Sequence, residues 1–359
     1  MFLFEVAEME LNERKKLILK AIIDEYMGTA EPVGSRAISK REELGLSSAT
    51  IRNEMADLEE MGYLVQPHTS AGRIPSDMGY RFYVNSLMSR YQMSVEAVER
   101  LRAEMEQKVT QLEMLIKKAS VITTLLTNYT TVISTPDLNG AEIKKVDLVS
   151  LGGGVVMIVI ITKAGAIKNK VVSMGVDEGI VTELSEILNR ALSGLMAQDI
   201  TFAKIQEMQK EIEQRLDLTP KILVNILNFV YEAIEALDET EIYIENTKSI
   251  LRYPEYSNVE KAQKLLTLLE DEKNLKQMIA SDDGKSGVHI KIGKENQFEE
   301  LADCSLVTVD YSINGKSAGK LGVIGPKRMD YAKVVASLDC ISNHIDKILY
   351  QLYIGEGEG

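Results

Sequence analysis

LGLSSATIRNEMADLEEMGYL, residues 44–64, predicts a helix with a cap at each end and two unlike faces. Ser47 or Ser48 supplies the N-cap, because a serine hydroxyl accepts a backbone N–H left unpaired in a helix's first turn. Gly62 supplies the stop, since glycine enters the left-handed conformation at little cost. Between them Ile51, Met55 and Leu58 recur at i, i+4 and i+7 as one apolar stripe. A rotation of about 100° per residue puts Ala49, Arg52, Asn53 and Ala56 on the opposite face, close to the helix N-terminus. That face suits entry into the major groove of duplex DNA. Arginine pairs bidentately with guanine, asparagine with adenine, and an alanine or threonine methyl meets the thymine methyl. An ordinary amphipathic helix can expose the same residues, so the flanking sequence has to decide.

Upstream, Asn12 to Met27 predicts a helix with Leu17, Ile18, Ala21 and Ile22 as its buried stripe and Gly28 as its end. Pro32 interrupts, Ser35 caps a short second helix through about Arg41, and Gly45 sits in the turn before the third. Helix, short helix, tight turn and helix is a helix-turn-helix order. Downstream, Tyr63 to Gln66 predicts a short strand, Pro67 to Gly72 a polar loop, and Arg73 to Pro75 the returning strand. This hairpin has the place of a wing. On this reading Ser48, Ala49, Thr50, Arg52 and Asn53 face the bases. Arg36, Lys40 and Arg41 stand on the preceding helix and turn, where phosphate contacts usually fall. Arg73 edges the hairpin as a phosphate or minor-groove contact. His68 lies in the loop, either solvated or against the DNA backbone. Ser76 to Leu87 reads as a further helix carrying Arg81.

The rest of the chain predicts a long helix from Val95 to about Leu126, with a possible break near Ser120. Val98, Met105, Leu112 and Ala119 recur every seven residues, which fits either a two-helix seam or a linker helix packed on its own domain. Lys145 to Met174 switches to strands, with a turn at Lys163–Gly165. Ile180 to about Leu237 returns to helix, followed by strand-like EIYIE and KSILRYP and a helix from Glu260 to Ala280. VHIKIG, SLVTVDYSI and GKLGVIGP read as three strands, the last two joined at Asn314–Gly315. A final helix runs from about Met329 to Leu352, and GEGEG reads as a disordered tail. Two groups of strands around a helical block suggest one α+β domain interrupted by an insertion.

Composition bounds the function. The 359 residues are 45% hydrophobic and 26% charged, with a formal net charge of −13. Residues 1–90 hold 11 Lys and Arg against 14 Asp and Glu, so the head alone is at −3. No basic tail supplies non-specific phosphate affinity, and DNA binding would rest on a few placed contacts doubled by symmetry. Two cysteines, Cys304 and Cys340, make no disulfide framework and fit a reducing cytoplasm. The N-terminus lacks the pattern of a signal peptide, and the longest apolar run, Val155 to Ile161, is too short to span a bilayer.

Several motifs resemble sites without completing one. Gly152, Gly153 and Gly154 lack the lysine–serine pair of a phosphate-binding loop and read as a turn. Cys340 and His344 share a helix face at i, i+4, but zinc needs three or four assembled ligands. Neither they nor Cys304 and His289 match a metal-binding spacing. No nucleophile motif is present, so no enzyme is expected, and no cofactor or metal.

Three ordered segments carry a resemblance: YMGTAEPVGSRAIS at 26–39, LSSATIRNEMADLEEMGYL at 46–64 and QPHTSAGRIPSDMGYRFYV at 66–84. Together they resemble the heat-inducible transcription repressor HrcA family, and the looser likeness continues over nearly the whole chain. The resemblance implies an α+β multidomain protein. It consists of a winged helix-turn-helix over 1–90, a GAF-like α/β domain in two parts, 91–175 and 256–354, and an inserted, mainly helical dimerisation domain with a small sheet over 176–255. Residues 355–359 are the tail. It further implies a cytoplasmic homodimer that binds an inverted-repeat operator on double-stranded DNA and represses chaperone operons. Heat would relieve that repression, and the chaperonin would help the repressor regain activity. A ligand-responsive regulator using the GAF-like pocket as a metabolite sensor is the alternative.

Overall fold

Asn12 opens the described chain's first helix, its carboxamide accepting the Lys15 N–H at 2.9 Å. This computed structural model describes residues 11–354 except 69–70, 107–111, 137–141, 164–165, 201, 217, 219, 236–239, 281–286 and 314–315. Helix α1, Glu13–Thr29, buries Ile18, Leu19, Ala21, Ile22 and Ile23. The expected stripe is therefore out of phase at one position: Leu17 is 54% exposed and Leu19 takes its place. Gly28 does not end the helix. The end comes at Ala30, which turns left-handed and donates its N–H to the Tyr26 carbonyl.

Helix α2, Ser35–Ile38, is shorter than expected, and Gly34 rather than Ser35 holds the N-cap position. A 3₁₀ turn at Glu42–Leu44 leads into left-handed Gly45. Helix α3, Ser48–Glu60, buries Ile51, Met55 and Leu58, and Ser47 caps it by accepting from the Thr50 N–H. Gly62, at φ +83°, turns the chain out of α3. Strands β1, Leu64–Val65, and β2, Ile74–Pro75, pair antiparallel. Arg73 leaves that ladder to bridge Val33, which ties the hairpin to the segment before α2. Helix α4, Asp77–Phe82, is capped by Ser76 and widens into a looser turn through Leu87.

Helices α5, Val95–Glu106, and α6, Leu112–Thr127, follow. Ser120 lies buried within α6, so the expected break there does not occur. Strand β3, Thr130–Ser134, is followed by an antiparallel sheet of β4, Ile143–Gly152, β5, Val155–Thr162, and β6, Ile167–Ser173. Gly152, Gly153 and Gly154 make the β4–β5 turn, all at positive φ. Helix α7, Glu178–Leu192, covers the free edge of β4: Asn189 Oδ1 accepts from the Val146 N–H at 3.1 Å and Ser185 Oγ from the Leu148 N–H at 3.0 Å. Helices α8, Phe202–Arg215, and α9, Pro220–Glu235, complete this unit.

The chain then returns. Strand β7, Ile242–Glu245, pairs with β3, and helices α10, Val259–Glu270, and α11, Glu272–Ala280, precede β8, Val288–Ile292. KSILRYP is not a strand but forms 3₁₀ turns at Thr247–Arg252 and Pro254–Tyr256. Pro254 has no N–H to offer a ladder. The single helix expected over 260–280 is two, because the Asp271 carboxylate accepts the Asn274 N–H and starts the second. Strands β9, Cys304–Ile313, and β10, Lys316–Pro326, lead into α12, Tyr331–Ile354.

The larger sheet has the order β7-β3-β10-β9-β8, antiparallel throughout. Its strands are buried on both faces. Ile133, Val307 and Val323 pack towards α6 and α12, while Val132, Leu306 and Ile324 pack with Leu265, Leu269 and Leu275 of α10 and α11. The seven-residue pattern of α5 and α6 is thus spent on this chain's own α12. The expected divisions at 175/176 and 255/256 do not follow the sheets. The first separates β6 from α7 of the same unit, and β7, placed within the insertion, belongs to the five-stranded sheet. The β4–β6 sheet with α7, α8 and α9 lies between β3 and β7 in the chain. The expected turns at Lys163–Gly165 and Asn314–Gly315 fall wholly or partly outside the described residues, as does the tail. Among the described residues no helix is long and apolar enough to cross a membrane.

Candidate nucleic-acid interface

The capping hydroxyl of Ser47 sets where α3 begins, and the apolar stripe sets which way it faces. Ser47 Oγ also shares a hydrogen bond with Thr50 Oγ1 at 2.9 Å. With Ile51, Met55 and Leu58 inward, Ala49, Arg52 and Asn53 are exposed, and Ser48 and Thr50 are partly exposed. Ser48 Oγ lies 3.0 Å from Ser35 Oγ, a bond between α2 and α3 that the spacing of the two serines does not announce.

A groove of about 660 Å³ opens here. Arg36, Ser48, Ala49, Arg52 and Asn53 line it from the helices, and Ala71, Gly72 and Arg73 from the hairpin. Gly72 lies so close to the preceding segment that a Cβ would stand 2.4 Å from the Val33 carbonyl oxygen. Gly34, Ser35 and Gly72 thus belong to the site although the motif reading passed over them. Their signal was present in PVGSR and SAGR, small residues set beside arginines.

The charges on α3 are sorted. Lys15 of α1 reaches Glu54 at 2.6 Å and Asp57 at 2.7 Å, and Arg14 adds a longer pair to Glu54. Donating to Asp57 and then Glu54 holds the Lys15 ammonium above its ordinary pKa. Glu59 binds Arg73 Nε at 2.7 Å, and Glu25 binds Arg41 at 2.9 Å. Arg52, Arg36 and Lys40 are exposed and have no ion-pair partner among the described residues. His68 is exposed in the hairpin loop, its carbonyl closing a turn with the Ala71 N–H. Of the ten residues expected to meet DNA, Arg36, Ser48, Ala49, Arg52, Asn53 and Arg73 share the groove. Lys40, Arg41, Thr50 and His68 do not line it. Two of the five cations, Arg41 and Arg73, are already held by carboxylates.

A family model described as HrcA protein C terminal domain matches residues 113–335. The heat-inducible transcription repressor HrcA of Acetivibrio thermocellus is 42% identical over 351 residues, covering 95% of this chain and 98% of its own length. That of Pelotomaculum thermopropionicum is 40% identical over 353 residues, covering 97% and 100%. The chain belongs to the heat-inducible transcription repressor HrcA family. HrcA is a family of regulators and not of enzymes, so the side chains of this repressor are to be read for recognition. A crystal structure of a hypothetical protein at 2.2 Å resolution shares the fold. It has a TM-score of 0.68 and 22% identity, covering 96% of this chain and 100% of that one.

Elsewhere in this HrcA chain the cysteines have structural surroundings. Though 48 residues apart in sequence, Cys304 and Tyr256 meet in the core, with Cys304 Sγ and Tyr256 Oη 2.8 Å apart. Burial pushes the Cys304 thiol up to about 12. Cys340 is partly exposed beside His344 on α12, and burial raises its thiol too. Among the described residues no group of three or more His, Cys, Asp and Glu is placed to hold a metal ion.

Proposed function

We propose that the head, residues 11–90, is a winged helix-turn-helix and that two copies of it bind an inverted-repeat operator. In this reading α3 is the recognition helix, with Arg52 and Asn53 at base edges and Ser48, Ala49 and Thr50 beside them. The β1–β2 hairpin is the wing, carrying His68 and Arg73. Arg36, Lys40 and Arg41 meet phosphates. The observation that carries this is the sorting of charge on α3. Three of its four acids, Glu54, Asp57 and Glu59, are tied back by Lys15 and Arg73, while Arg52 stands exposed and unpaired among the described residues.

The five-stranded sheet with α6 and α12 on one face is the GAF-like domain in this reading, and the β4–β6 unit is the inserted dimerisation domain. A two-fold dimer presents two recognition helices to two half-sites, so the operator's symmetry mirrors the protein's. Occupancy near a promoter blocks transcription and needs no chemistry. Heat shifts the population away from the binding-competent dimer, and the chaperonin restores it. Chaperone genes are the natural target of such a circuit.

A mobility-shift titration on inverted-repeat DNA, with Arg52→Ala beside wild type, tests the reading. Loss of a base-reading arginine should cost roughly 1–3 kcal/mol and relax preference at one position in each half-site. Equal affinity and equal sequence preference in the two proteins would remove Arg52 from the interface.

A further inference from the structure

Residues 89–94, between the head and α5, belong to no helix or strand. Met88 and Met93 hold this segment to the core by apolar contact, which is not directional. The angle comes from α4, which meets the body at both ends of its short length. Asp77 accepts at Oδ1 from Lys327 Nζ at 2.7 Å and at Oδ2 from the Lys294 backbone N–H at 3.2 Å. One turn later, Arg81 donates from Nε to Glu295 Oε1 at 2.9 Å and from Nη2 to Glu295 Oε2 and the Ile290 carbonyl. Glu295 is itself steadied by the Ile292 N–H at 2.8 Å. From the body side, Arg328 donates to the Met27 carbonyl at the end of α1 and to Glu255. Between these polar pairs the rings of Tyr80 and Tyr331 lie 6.2 Å apart, both buried.

Two details make this a fitted contact that can also be released. Gly293 of the body sits at φ +53°, and a Cβ there would stand 2.3 Å from an Asp77 carboxylate oxygen. Glycine alone admits both the backbone and the approach. Conversely, Tyr80 Oη is buried with no hydrogen-bond partner among the described residues. A buried hydroxyl left unpaired disfavours the docked arrangement relative to one that exposes it to water. The ion pairs are themselves part-exposed, with side-chain exposures of 27–38%, so salt screens them.

We propose that α4 is a latch in which Asp77 and Arg81, held by Lys327 and Glu295, fix the angle at which the head presents its recognition helix. These four are positioning residues, and discrimination between half-site spacings resides in their contacts. The inference rests on the reading of the head as the DNA-binding unit of a dimer.

The test uses the full chain. Wild type is first used to enrich an inverted repeat from a random duplex pool. Affinity is then measured for that repeat, for one with its spacer lengthened by half a helical turn, and for a single half-site. Wild type should prefer the enriched spacing by about tenfold or more over the spacer changed by ~5 bp. Combining Arg81→Met with Glu295→Gln should reduce that preference below about threefold while half-site affinity and thermal unfolding stay as in wild type. Tyr80→Phe removes the unpaired hydroxyl and should preserve the preference to higher salt than wild type does. An unchanged spacing preference in the double variant, with half-site binding intact, overturns the latch alone. Failure of wild type to enrich any inverted repeat from the pool overturns the DNA-binding reading and the latch with it. Should the double variant misfold, Tyr80→Phe decides, and a salt profile identical to wild type overturns the proposal.

Discussion

Arg73 and Arg52 border the same groove, yet Arg73 donates to Glu59 at 2.7 Å while Arg52 has no carboxylate partner among the described residues. The difference ranks them. Arg52 can turn to a base without giving up an ion pair, whereas Arg73 must exchange Glu59 for a phosphate. That pair is part-exposed, with side-chain exposures of 21% and 32%, so the exchange is a modest one. Glu59→Gln removes the competing charge and keeps the side chain's length. Its expected effect is tighter binding to DNA of any sequence, with the salt slope steeper by roughly two units for a dimer, since each head frees one cation. Mobility shifts on unrelated duplexes over a salt series measure this. Unchanged slope and affinity would show that Arg73 does not reach DNA and serves only to brace the hairpin against α3.

At the scale of elements, the β4–β6 sheet leaves one face to be accounted for. Its inward rows pack in the core, but Val149, Met157 and Val171 stand in register across the three strands on the other side. Val149 is 42% and Val171 56% exposed, and Ile161 and Ile167 extend the same face two rows on. Adjacent apolar side chains on an antiparallel face form a contiguous patch, and such patches mark partner surfaces. A second copy of this chain is the partner that the operator-binding proposal requires. Val171→Glu should therefore leave the thermal unfolding of the protein near wild type, because the position is exposed, while shifting sedimentation from dimer towards monomer. A variant that sediments as wild type would move the dimer contact elsewhere. The uneven legibility of the chain follows the range of its contacts. The α3 cap, stripe and stop are local, and each was readable within twenty residues. Strand β3 was not: TTVIS is short and follows a long helix, and its partners in β7 and β10 lie more than a hundred residues away. Without β3 the sequence offers no mark that separates the three-stranded sheet from the five-stranded one, so β4–β6 read as part of the interrupted domain. The carboxylates that hold Arg41 and Arg73 were hidden for the same reason, being 16 and 14 residues away with no spacing rule to reveal them.

For the whole molecule, the net charge of −13 works against DNA, and the first 90 residues, at −3, give no relief. Attraction has to come from the arrangement of a few cations, with Glu54, Asp57 and Glu59 of α3 held by Lys15 and Arg73. Per head, Arg36, Lys40 and Arg52 are exposed and unpaired among the described residues, while Arg41 and Arg73 are held by Glu25 and Glu59. If only the unpaired cations neutralise phosphates, a dimer engages about six, and the logarithm of its affinity should fall with the logarithm of salt at a slope near −5. If Arg41 and Arg73 also give up their carboxylates, the slope approaches about −9. In the free protein both arginines are held, at 2.9 and 2.7 Å, so the slope reports whether DNA displaces Glu25 and Glu59. Titrating wild type against its enriched inverted repeat from low to moderate salt separates the two, and a slope near the steeper limit would mean that the head rearranges its charges on DNA. A shallow slope has a consequence for specificity. With little general attraction to phosphate, competing genomic sites hold few copies, and discrimination falls to Arg52, Asn53 and the spacing of the two heads.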